Sequence, residues 1–300
     1  MKRVVFMGMG GAITHEAFWA LTEADIHIVG VVKPFPFYEP NKPVGRLHRK
    51  KWWTRRARSR TRLDTLTMCE IIPRLGIDVL EVRNPNHPHV IAWLQERKPD
   101  LICVASFPSL FKQELLHLPT YGCINLHASH LPNYRGPSPL FWMLKEGAEK
   151  AGASVHFLDS GIDSGDLISQ TSLPVPHGIR GRELNQKIGE TGAPLLVQAA
   201  LDTLEERVLH TPQTDKGSYH PNPTPQDLQI HTQQPAHALF HFVHGVARWM
   251  PLTFSLEEHT FSIEDAIEYS NTQSIPGEFL FHQGILTLSC EDGVVKMKAK

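Results

Sequence analysis

The chain reads as an α/β fold with a mostly parallel, Rossmann-like sheet, followed by a small C-terminal β-barrel. Two patterns carry that reading. Through residue 207, short β-branched runs alternate with helical stretches, the signature of βαβ units. Beyond residue 225 the pattern changes to one helix and several short strands punctuated by Gly turns, which suggests a barrel of the OB type.

In order, strands are expected at 3–7, 27–33, 77–82, 100–105, 121–127, 152–158 and 166–173, and helices at 14–24, 61–75, 87–97, 138–146 and 181–207. Gly8-Met9-Gly10-Gly11 closes the first strand as a tight strand-to-helix turn. It lacks the full glycine spacing of a dinucleotide loop, and Lys33-Pro34 stands where such a site needs an acid. Residues 208–225 hold Pro212, Pro221, Pro223 and Pro225 among polar residues and read as an extended linker. A helix at 235–247 comes next, then strands near 252–256, 259–263, 277–282, 284–290 and 293–297. Pro276-Gly277, Gln283-Gly284 and Asp292-Gly293 supply the turns. The expected domains are 1–207, the linker 208–225, and the barrel 226–300.

Composition narrows the functional classes. A hydrophobic fraction of 41% supplies a core and excludes a disordered chain. Cys69, Cys103, Cys123 and Cys290 are widely spaced with no CxxC pair, which disfavours a zinc site or disulfide framework. Reduced thiols and the lack of any apolar segment of spanning length fit a soluble, cytoplasmic protein. The net charge of −1 conceals a strong asymmetry: Lys42 to Arg62 holds ten of the thirty Lys and Arg residues and no acid. A basic segment on an acidic body suggests contact with a polyanion.

The chemistry concentrates in Gly-Cys-Ile-Asn125-Leu-His127 and the Pro- and Gly-rich loops C-terminal to it. Alternate side chains of a strand share a face, so Asn125 and His127 project together near the end of the 121–127 strand. In parallel sheets, ligands gather beyond the carboxyl ends of strands, here at Ala105 and His127. A hydrogen-bond donor beside an imidazole suits acyl transfer, and Asp163 in the Gly-rich run Asp159-Ser-Gly-Ile-Asp163-Ser-Gly165-Asp166 can bring a carboxylate to it.

The pattern Asn-x-His…Leu-Pro-x-x-Arg-Gly…Asp-x-Gly, carried by Asn125, His127, Leu131, Pro132, Arg135, Gly136, Asp163 and Gly165, resembles the formyltransferase family that uses 10-formyltetrahydrofolate, its methionyl-tRNA branch above all. The similarity runs through most of 1–205. It implies that Asn125, His127 and Asp163 are catalytic, with His156 auxiliary. It also implies that backbone groups at Ala105, Ser106, Phe107 and around Asp159 receive the folate. The formyl group would pass to the amino group of methionyl-tRNA. The alternatives are the amine of a sugar nucleotide or other small molecule, or water in a formyltetrahydrofolate hydrolase.

On the tRNA reading, Arg46, Arg49, Lys50, Lys51 and Trp52 grip the acceptor arm, with cations on phosphates and a tryptophan stacked on a base. Arg135 joins the acceptor side. The alternative is a solvated charged segment whose tryptophans pack on the sheet. No metal is expected. His237, His241 and His244 share one helix face, but without a nearby acid or thiol they suit a helix packed on the barrel. The protein is expected to act as a monomer. Ala128, His130 and Ser106-Phe107-Pro108 depart from the usual family residues and bear on the acceptor.

Overall fold

The computed structural model describes residues 1–35, 46–47, 68–214 and 216–300, with the backbone alone at Arg46, Leu47 and Cys69. Elements run β1 (Val4–Gly8), α1 (Ala12–Glu23), β2 (Ile28–Pro34), β3 (Arg46–Leu47), α2 (Met68–Leu75), β4 (Val79–Val82), α3 (Pro88–Arg97), β5 (Leu101–Ala105), α4 (Gln113–Leu116), β6 (Cys123–His127), α5 (Pro139–Lys145), β7 (Lys150–Phe157), β8 (Leu167–Pro174) and α6 (Gly181–Leu204). The chain continues with α7 (Ala236–Val246), β9 (Leu252–Leu256), β10 (His259–Ser270), β11 (Phe279–His282), β12 (Ile285–Cys290) and β13 (Gly293–Ala299).

Among the described residues, the first sheet has eight strands in the order β3-β4-β2-β1-β5-β6-β7-β8. The run β4-β2-β1-β5-β6 is parallel. β7 reverses and lies antiparallel to β6. The chain leaves β1 toward β2 and returns to β5 on its other side, so the strand order switches between β1 and β5, where open α/β sheets form their crevices. β1, β5 and β6 are buried at every residue, as central strands covered on both faces must be. Helix α1 contributes Ile13, Ala17, Phe18 and Leu21 to the core, and Phe18 meets Phe6 with ring centroids 5.4 Å apart.

The second sheet is antiparallel, in the order β11-β12-β13-β10-β9. Helix α7 packs against β10 and β13 and buries Leu239, Phe242, Val243 and Val246. Two of its histidines are engaged with the backbone: His241 Nδ1 accepts from Gly178 N at 2.9 Å, and His244 Nδ1 donates to the Ala266 carbonyl at 3.2 Å.

By contacts the chain divides into two compact units. The first comprises Met1–Arg135, Gly152–Ser172 and Gln186–Ser218; the second comprises Gly136–Ala151, Leu173–Asn185 and Tyr219–Lys300. Helix α5 thus belongs with α7, where Phe141 meets Phe242 edge-on at 5.8 Å. No helix among the described residues is long and apolar enough to cross a membrane.

Both rings of the Phe6–Phe18 pair are fully buried. Phe18→Ala should therefore cost about 3–5 kcal/mol, seen as an earlier urea midpoint by circular dichroism. A loss below about 1 kcal/mol would mean that this face is not packed as described.

Candidate active site

Two strands, β6 and β7, and the loop after β7 present the polar cluster at the carboxyl end of β6. Asn125 and His127 share one face of β6, while Leu126 points to the other. There Gly192 of α6 comes so near that a Cβ at that position would stand 2.7 Å from a Leu126 methyl. Across the antiparallel pairing Asn125 faces His156 and His127 faces Ser154. Asn125, His127 and His156 are all buried, and Asp163 comes in from the loop after β7 with its side chain 15% exposed.

Hydrogen bonds assign the ring protons. His156 Nδ1 lies 2.8 Å from the Phe157 carbonyl, an obligate acceptor, so Nδ1 carries the hydrogen. His156 Nε2 is then the acceptor for Asn125 Nδ2 at 3.1 Å, which orients the Asn125 amide with its NH2 group inward. Burial keeps this imidazole neutral, pushing its pKa down to about 4 against the opposing pull of Asp163; the proximity of His127 adds to the depression. His127 takes the opposite tautomer. Its Nε2 stands 2.9 Å from the Tyr134 carbonyl and must donate to it. Nδ1 is therefore the position that gains or loses a proton, and it faces Asp163 Oδ1 at 3.6 Å. The same Oδ1 lies 3.7 Å from His156 Nε2.

The loop from His130 to Arg135 that supplies the Tyr134 carbonyl is held from below. Ser154 Oγ accepts from Leu131 N and donates to the Ser129 carbonyl, and Gln170 Nε2 donates to both the Leu131 carbonyl and Ser154 Oγ. Gly152 allows this approach, since a Cβ there would meet the His130 backbone at 2.7 Å.

The structure thus brings Asn125, His127 and Asp163 together, with His156 between Asn125 and Asp163. Ala105 is buried at the end of β5, and its carbonyl accepts from Thr14 Oγ1. Ser106 takes a left-handed conformation (φ 54°), and its carbonyl accepts from Met9 N. Phe107 is half-buried, packs against the core and meets Phe111 edge-on. The Asp159 carboxylate braces its own loop by accepting from Gly161 N and Ser164 Oγ. Arg135 is not a free cation: its guanidinium donates to Gln213 Oε1 at 2.9 and 3.2 Å and to the Thr214 carbonyl. Arg46 is described only as backbone paired with β4, and Arg49, Lys50, Lys51 and Trp52 lie outside the described residues. Gln213 and Ser218, which touch this site, sit in the stretch that sequence reads as a linker; nothing in its composition marks them.

Fold and cluster together define an α/β protein whose polar site can act on a carbonyl. Residues 41–200 match the formyl transferase family, and the chain belongs to that family. It is a formyltransferase. A methionyl-tRNA formyltransferase of Syntrophomonas wolfei is 30% identical over 239 residues, covering 79% of this chain and 70% of that one. One from Clostridium tetani is 26% identical over 303 residues, covering 99% and 91%. Among solved structures, an N-formyltransferase from Helicobacter canadensis, in complex with folinic acid and dTDP-3-aminofucose, superposes with a TM-score of 0.67 at 15% identity, covering 99% of each chain.

The buried neutral His156 gives a pH signature. Its folded pKa lies below the ordinary 6.5, so the unfolded chain takes up a proton that the folded one refuses. Its contribution to stability is intact above pH 6.5 and falls away as the pH drops toward 4. Thermal midpoints should fall through that window in the wild type and less steeply in His156→Asn. Equal slopes would place the imidazole in solvent.

Proposed function

We propose that this chain transfers a formyl group from 10-formyltetrahydrofolate to the amino group of methionyl-tRNA. The observation that carries the chemistry is the pair of opposite histidine tautomers. With one Asn125 N–H spent on His156, the second is left for an oxyanion. With Nε2 of His127 spent on Tyr134, a proton on Nδ1, the side that faces Asp163, is the second donor. When the amine attacks the formyl carbon, the carbonyl electrons move to oxygen, and these two donors stabilise the charge by about 3 kcal/mol or more. Asp163, directly or through a water, accepts the proton released by the new C–N bond. As the tetrahedral centre collapses, that proton goes to the departing folate nitrogen.

The folate would lie along the β1/β5 switch point, against the backbone of Ala105 to Phe107 and the Asp159–Asp163 loop. The complex of the Helicobacter canadensis enzyme with folinic acid supports this class of donor. We assign catalysis to residues 1–207, with 208–225 as the connection, and read the antiparallel sheet of 226–300 as an OB-like barrel.

For the acceptor, the methionyl-tRNA formyltransferase relatives favour methionyl-tRNA, and so do the ten cations between Lys42 and Arg62. The barrel contributes little positive charge. Residues 226–300 hold four Lys and Arg against nine Asp and Glu, and three of the four cations are paired: Arg248 with Asp265, Lys296 with Glu268, and Lys300 with Glu264. We therefore assign the phosphate contacts to 42–62, where a third of the Lys and Arg residues of the chain lie. The acidic barrel and the likeness to a sugar N-formyltransferase favour the second reading, a small sugar-nucleotide amine as acceptor.

Labelled formyl donor with charged initiator tRNA should yield formylmethionyl-tRNA. Formylation of an amino sugar nucleotide alone would replace the tRNA reading. His127→Ala should lower the transfer rate by about 10²–10⁴ with little change in folate affinity; an unchanged rate would remove His127 from the chemistry. Affinity for tRNA should fall on the order of a thousandfold between 50 and 200 mM salt, as several phosphate contacts require. A flat response would point to the small acceptor.

A further inference from the structure

We infer that Gln213 is a positioning residue for the formyl-transfer site, the knot of a short strap that fixes Asp163 against His127. The inference rests on the catalytic roles proposed above and adds a residue outside the motif that defines them.

The Gln213 side chain uses both ends of its amide. Nε2 donates to the carbonyls of Asp163 and Gly165, each at 2.8 Å. Oε1 accepts from Arg135 Nε and Nη2 at 3.2 and 2.9 Å. One side chain therefore ties the loop that carries Asp163 to the loop whose Tyr134 carbonyl holds His127. The rest of the strap repeats the contact. Ser218 Oγ accepts from Tyr134 N, the Ser218 carbonyl accepts from Arg135 N, and Gly217 lies flat on Pro132, where a Cβ would collide with the Pro132 carbonyl oxygen.

Asp163 and Tyr134 are the two residues that face the His127 ring nitrogens, and both sit in the left-handed region, at φ 50° and 56°. Non-glycine residues stay there only where their surroundings hold them. Here each is hydrogen-bonded through its own backbone to the strap, Asp163 by its carbonyl to Gln213 and Tyr134 by its N–H to Ser218. The Asp163–His127 approach of 3.6 Å is longer than a hydrogen bond, so no short directional bond locks the two side chains together and the backbone on either side helps to set their spacing. Misplacement of a reacting group by about 1 Å can lower a rate on the order of a hundredfold.

The test compares Gln213→Ala and Gln213→Glu with the wild type in the full chain, using labelled 10-formyltetrahydrofolate and charged initiator tRNA. Glutamate keeps the acceptor for Arg135 but loses both donors to the Asp163 loop. Both variants should lose kcat by about 10- to 100-fold, with the folate KM within about threefold of wild type and the thermal midpoint within a few degrees. In ¹⁵N NMR spectra, which need no acceptor, the His127 ring-nitrogen signals should move in both variants. Wild-type kcat with unmoved His127 signals would overturn the inference, as would a loss of rate that only tracks a loss of folded protein. A Gln213→Glu variant behaving as wild type would assign the effect to Arg135 instead. His127→Ala, run alongside, separates this from the catalytic reading: an active His127→Ala sinks that reading, whereas an inactive one beside a fully active Gln213→Ala sinks only the strap.

Discussion

The hydrogen bond from His127 Nε2 to the Tyr134 carbonyl, at 2.9 Å, decides what the rest of the site can do. A carbonyl can only accept, so it consumes one ring proton permanently and leaves Nδ1 as the position where charge can come and go. Asp163 stands on that side. His156 is constrained in the mirror sense, since its Nδ1–H is consumed by Phe157 and its Nε2 is left as a base for Asn125. Two imidazoles whose ring centroids are 6.4 Å apart thus hold opposite tautomers, and one amide is oriented as a consequence. The structural elements that matter most are those that place two carbonyl oxygens.

Those carbonyls are placed by different means. Phe157 ends β7, and its position is set by antiparallel pairing with β6, where Ile124 faces Phe157 and Asn125 faces His156. Regular sheet geometry suffices there. Tyr134 lies in a loop, in a left-handed conformation, and needs the Ser154–Gln170 network beneath it and the Ser218 contact above. Rigid support on one side and a tied loop on the other is the preorganisation that charge stabilisation on a carbonyl requires, because donors already in place need not reorient as charge develops.

Much of this was legible in the sequence. The β-branched runs gave the parallel strands because buried central strands carry continuous apolar residues, and Val4 to Met7 or Leu101 to Ala105 admit little else. Period-two alternation put Asn125 and His127 on one face without any knowledge of the fold. What could not be read was whatever depends on backbone direction in loops. Tyr134 enters the site through its carbonyl, which any residue possesses, so its identity carries no signal. Gln213 lies among Thr, Pro and Gln in a stretch whose composition states only that no helix or core strand forms there. Polar residues of that kind look alike whether they face water or close a hydrogen-bonded ring. Helix α4 was missed because one turn is too short for a period to show. β10 runs to Ser270, well past the expected 263, because its register shifts near Asp265 and Ala266 interrupt the alternation by which a strand is recognised.

The chemistry of the site follows from the two tautomers, and ¹⁵N NMR of the ring nitrogens reads them directly. At a pH where both rings are neutral, long-range correlations should show His127 protonated at Nε2 with Nδ1 bare, and His156 protonated at Nδ1 with Nε2 bare. A His127 ring carrying its hydrogen on Nδ1 would overturn the assigned tautomers, because Nε2 could not then donate to Tyr134 and the proton-exchange position would no longer face Asp163.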